Sequence, residues 1–115
     1  MIRIRWDLEE IIALLWICLR RKEMSGEELH DNLKHLSAAL NRRADTMGIT
    51  HDEKFRNYNG MKLCYQNALY VLTNGQEGLP NVNKLIGEAY VLWKSNKERY
   101  FTILNGFLDK YWYGM

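Results

Sequence analysis

The sequence predicts an all-α fold, a compact bundle of five main helices with room for a short sixth. Three observations carry this expectation. Apolar residues recur at spacings of three and four through five segments of the chain. Four pairs of Asp, Ser or Thr followed three residues later by Glu read as capping boxes. No segment sustains period-two alternation, and no hairpin turn joins two β-rich runs. With 115 residues the chain is read as a single domain spanning residues 1–115. A domain of this size buries roughly 65% of its unfolded surface, so folding calls for neither a disulfide nor a metal.

The elements follow in order. Asp7 with Glu10 opens the first helix, and Trp6 stands just before it. Leu8, Ile11, Ile12, Leu15 and Leu19 keep helical spacing, while Leu14, Trp16, Ile17 and Cys18 fill the rest of the circumference. A helix apolar on most sides belongs at the centre of a bundle. Arg20-Arg21-Lys22 ends it, where cations suit the negative end of the helix dipole. Ser25 with Glu28 opens a second helix, marked by the stripe Leu29, Leu33, Leu36 and Leu40 and expected to end after Arg42 and Arg43. Thr50 with Glu53 suggests a short helix or turn ending near Phe55. Met61, Cys64, Tyr65, Ala68, Leu69 and Leu72 mark the next amphipathic helix, closed by Asn74-Gly75. After the loop Gly75 to Asn81, a helix carries Val82, Leu85, Ile86, Ala89, Leu92 and Trp93. Ser95 with Glu98 then opens a last helix with Tyr100, Ile103, Leu104, Phe107, Leu108 and Tyr111.

Composition narrows the function classes. Hydrophobic residues make up 47% and charged residues 26%, the balance of a globular chain. The longest apolar run, Ile11 to Leu19, has nine residues, too short to span a bilayer. The expectation is therefore a soluble cytoplasmic protein without membrane association. Cys18 and Cys64 lie in apolar helical stretches and read as buried free thiols. His30 and His35 are five apart, about 140° around a helix, and cannot share a metal. No histidine keeps a zinc-ligand spacing with either cysteine. There is no phosphate-binding glycine loop and no recognisable nucleophile setting. Adjacent carboxylates such as Glu9-Glu10 and Glu27-Glu28 diverge on a helix and serve as capping and dipole charges. No catalysis, metal or cofactor is expected.

One stretch departs from the helical pattern: Phe55-Arg56-Asn57-Tyr58-Asn59-Gly60-Met61-Lys62-Leu63. Two readings of it stay open. In the first, Asn57 or Asn59 caps a helix beginning near Gly60, and Arg56 is a solvated charge or a partner of Asp52 or Glu53. In the second, the loop grips nucleic acid. Backbone N–H groups at the helix start attract phosphate. Arg56 and Lys62 flank that start, and Lys54, Arg42 and Arg43 supply further positive charge. Arg and Asn are the side chains that pair with base edges, and Tyr58 offers a ring for stacking.

At the other end, Tyr111, Trp112 and Tyr113 cannot all face one core from a helix. At least one ring is expected at the surface, as part of a partner-binding or self-association face.

Three segments together resemble the helical domain that precedes the nuclease domain in bacterial HNH restriction-type endonucleases. They are WDLEEIIALL, HLSAALNRR and, most specifically, FRNYNGMKL. The resemblance covers about the first 70 residues. It implies a DNA-associated recognition module, directed at DNA that includes modified DNA, with Arg56, Asn57, Asn59, Gly60 and Lys62 as its contact set. Cutting does not carry over, because the chain contains no HNH motif. Tyr58 stands where the family often has proline, and Gly60 and Lys62 are closer together than in the family pattern. The expected function is thus a non-catalytic DNA-binding module. The alternative is a small phage or mobile-element protein that inhibits a bacterial defence nuclease or CRISPR complex through protein contacts.

Overall fold

The computed structural model describes residues 4–80 and 83–113. Its helices are α1 (Leu8–Leu19), α2 (Gly26–Thr46), α3 (Tyr58–Leu72), α4 (Lys84–Ser95) and α5 (Lys97–Phe107). A 3₁₀ turn, Arg21–Glu23, follows α1, and a π-helical turn, Leu108–Trp112, continues α5. The all-α expectation is met, and no strand occurs among the described residues. Asn81 and Val82, which the sequence reading used for a loop end and a helix start, lie outside the described residues.

The arrangement follows from the composition of α1. Ile11, Ile12, Ala13, Leu14, Leu15, Ile17 and Cys18 of this helix are wholly buried. A helix apolar all round needs neighbours all round, and α1 touches α2, α3, α4 and α5. Those four form a closed ring about it: α2 packs on α3, α3 on α4, α4 on α5, and the π-helical turn after α5 returns to α2. Tyr100 of α5 reaches into the centre, where its hydroxyl donates to the Ile12 carbonyl at 2.8 Å. That bond satisfies a polar group that would otherwise be costly to bury. Burial pushes the Tyr100 phenol well above its usual range.

Local chemistry sets most of the boundaries. Both halves of the Asp7/Glu10 and Ser25/Glu28 capping boxes are formed. Two expectations change, and between them one open alternative is decided. Helix α2 runs to Thr46 rather than Arg43, ended by Gly48 at φ +72. At Thr50/Glu53 the turn forms rather than the short helix, over residues 53–56, with the Asp52 side chain accepting from the Lys54 amide. At the α4–α5 junction Asn96 rather than Ser95 caps α5, accepting from the Arg99 amide at 3.1 Å, while the Ser95 hydroxyl bonds back to the Val91 carbonyl. Cys18 and Cys64 are buried free thiols, as expected, and burial pushes both up to about 12.

Candidate nucleic-acid interface

The site begins where α2 ends and α3 starts. Asn57 caps α3, its side-chain oxygen accepting from the Gly60 amide at 2.8 Å. The capping reading of the loop therefore holds, with the helix starting at Tyr58. Lacking a Cβ, Gly60 sits comfortably beside the capping oxygen, which a Cβ would approach to 3.2 Å.

Arg56 is held in the left-handed region at φ +46, a strained conformation for a residue with a side chain. Its guanidinium is not solvated and does not pair with Asp52 or Glu53. It forks onto Glu10, Nε to Oε2 at 2.8 Å and Nη2 to Oε1 at 3.1 Å, and Nη2 also donates to the Arg5 carbonyl at 3.1 Å. It also lies over the rings of Trp6 and Phe55, its central carbon 4.1 and 4.5 Å from their centroids. The two side chains of the ion pair are 8% and 3% exposed.

Arg43 is similarly internal, donating to Asp7 and Glu9. Asp7 and Glu10 thus complete the cap of α1 and anchor two arginines from other segments. From α2, the Ser37 hydroxyl donates to the Arg56 carbonyl at 2.6 Å, and Asn41 donates to the Phe55 carbonyl at 3.0 Å. The segments spanning residues 6–15, 35–43 and 55–63 meet in this one buried junction.

The remaining residues singled out by sequence divide accordingly. Arg42, Lys54, Asn59 and Lys62 are exposed. Tyr58 is half-buried, its ring edge-on to His30 and its hydroxyl bonded to His30 Nδ1, with Lys62 Nζ 5.5 Å from the ring centroid. That ring is partly covered, by His30 and Lys62. Once the internal ion pairs are set aside, the segment from Arg42 to Lys62 presents Arg42, Lys54 and Lys62 against Asp45, Asp52 and Glu53. Apart from His51, which adds a positive charge when protonated, the charge at this edge is balanced.

The tail also divides. Trp112 packs edge-on against Trp16 and His35, and its carbonyl accepts from His35 Nε2 at 2.9 Å. Tyr111 leans on Phe107, whereas Tyr113 is 67% exposed.

A surface that the sequence reading did not single out lies at the α4–α5 corner. Tyr90 and Trp93 stack with centroids 6.0 Å apart and planes 12° apart. Lys94 Nζ stands 5.0 Å from the Tyr90 centroid and Lys97 Nζ 4.1 Å from that of Trp93. Lys94, Lys97 and Arg99 are exposed there, opposed in that span only by Glu98. Tyr90 and Lys94, four apart on one helix, were a legible signal. The approach of Lys97 to Trp93 was not, because it depends on the chain turning at Asn96.

Comparison with known protein families, curated proteins and solved structures finds no match to this chain. Among the described residues no three His, Cys, Asp or Glu side chains gather into a group that could hold a metal ion. No described helix is long and apolar enough to cross a membrane.

Proposed function

We propose that the chain is a non-catalytic DNA-binding module whose principal contact is the α4–α5 corner. The observation that carries this reading is the local excess of positive charge, Lys94, Lys97 and Arg99 against Glu98, beside a stacked tyrosine and tryptophan. Cations set on aromatic rings combine phosphate attraction with a surface that tolerates bases. Lys54 and Lys62 make a lesser contribution, because acidic neighbours offset their charge, and Asn59 beside them adds a neutral amide. Arg43 and Arg56 act from within by holding the fold, and a DNA contact by either would require its ion pairs to break.

The test is fluorescence anisotropy with labelled unmodified, methylated and single-stranded DNA at low and physiological salt. Three phosphate contacts on duplex DNA give a slope of log affinity against log salt of about −2.7. Lys94→Ala with Lys97→Ala is expected to weaken binding at least about tenfold at low salt, and Lys54→Ala with Lys62→Ala only about two- to threefold. Equal loss from both pairs would move the contact back to the loop. Absence of binding by folded protein would reject the DNA reading.

A second reading has its own observation. The outer face of α4 is an open apolar groove lined by Gly87, Val91 and Leu92, with Val91 61% exposed. Such a face suits a protein partner, including a component of a bacterial defence complex. Retained DNA binding in Val91→Lys, with loss of a co-purifying protein, would favour that alternative surface.

A further inference from the structure

Residues 49–57 cross from α2 to α3 with no helix of their own, and one histidine ties their first half to α2. His51 Nε2 lies 2.7 Å from Asp45 Oδ1 on the last turn of α2, and Nδ1 lies 3.2 Å from the Asp52 carbonyl oxygen. A carboxylate and a carbonyl can only accept. Both ring nitrogens must therefore donate, which a neutral imidazole, with one N–H, cannot do. The geometry is that of an imidazolium. The charged groups facing the ring are the carboxylates of Asp45, from α2, and Asp52, from its own segment. The ring also rests on Phe55, 4.7 Å between centroids.

We propose that His51 is a pH-operated latch: doubly protonated it fastens the turn over residues 50–54 to the end of α2, and on losing one proton it releases that turn. Release is confined by what lies on either side. Phe55 and Arg56 stay held through Asn41, Ser37 and Glu10, none of which involves the histidine. The freed part carries the Phe55 amide bond to the Asp52 carbonyl and the Lys54 amide bond to the Asp52 side chain. It also carries Glu53 and Lys54, so the latch governs where an exposed charge pair sits on the surface. This inference stands apart from the DNA reading and would survive its failure.

The bond to Asp45, and after it the bond to the Asp52 carbonyl, raise the histidine above its usual 6.5. A raised value in the folded state means that the clasp is fully formed below about pH 6.5 and is lost as pH rises through the folded value.

The test is side-chain nitrogen NMR of His51 together with amide-exchange protection of Lys54, Phe55 and Gly60 from pH 5.5 to 8.5. The expected result is two protonated ring nitrogens at pH 5.5, with protection at Lys54 and Phe55 falling at least about fivefold as the ring deprotonates. Gly60, bonded to Asn57, should keep its protection. In Asp45→Asn the transition should move to lower pH. In His51→Gln it should vanish, leaving Lys54 poorly protected throughout. A transition that persists in His51→Gln, or a neutral His51 ring at pH 5.5, would overturn the latch.

Discussion

Arg56 illustrates how a residue type can be legible while its role is not. The sequence offers an arginine beside two asparagines and a glycine, which suits a ligand-gripping loop equally well. What decides is a partner 46 positions away, Glu10, which no local pattern reveals. The capping box that includes Glu10 was legible, because its two residues are three apart. Its second task, receiving Arg56, was not. The pair is desolvated on both sides, and truncating one member of such a pair strands a buried charge. Arg56→Ala is therefore expected to cost about 3–5 kcal/mol, measured by denaturant unfolding. Lys62→Ala, at an exposed position, should stay within about 0.5 kcal/mol of the parent. A small loss for Arg56→Ala would mean that the junction relaxes around the gap, and the arginine would again be available to a ligand.

Among elements, the helices that could be read were those with periodic apolar faces, and the errors fell in the connections. The α2 stripe ends at Leu40, so periodicity gave no notice of its last turn; Arg43 and Ala44 are buried there for tertiary reasons. The loop after α3 is another case. Gly75 and Gly78 both take positive φ, but only Gly78 is also crowded. A Cβ there would lie 2.2 Å from the Gln66 carbonyl oxygen and 2.7 Å from the Tyr70 nitrogen, both backbone atoms of α3. The loop lies against that helix, with the Leu79 amide donating to Gln66 and Asn67 donating to the Leu79 carbonyl. Gly78→Ala is expected to destabilise by about 1–3 kcal/mol, lowering the melting temperature by several degrees. The same change at Gly87, where nothing lies within 4 Å of the added Cβ, should be neutral or stabilising by up to about 1 kcal/mol. Equal effects at both positions would show that the loop does not hold α3 this closely.

For the whole molecule, the central place of α1 was foreseeable from its all-round apolarity, but the ring around it was not. Ring closure depends on the π-helical turn after α5, which brings Trp112 against Trp16 and His35. Sequence pattern suggested that at least one aromatic ring of the tail would be exposed, and Tyr113 is. Trp112→Ala removes the closing contact and is expected to cost about 2–4 kcal/mol, somewhat below a fully buried tryptophan. Tyr113→Ala should cost under about 0.5 kcal/mol. Comparable losses at the two positions would assign the closure to the tail backbone rather than to the indole.

The closed ring has a consequence for biosynthesis. Helix α1 leaves the ribosome first among the five, yet the last segment that shelters it, Leu108–Trp112, is made some ninety residues later. At about 5–20 residues per second, that interval lasts roughly 5–20 s. Throughout it, a helix with no polar side has an incomplete set of neighbours. Newly made chains should therefore engage a holding chaperone through the Ile11–Leu19 stretch and let go only after the tail docks.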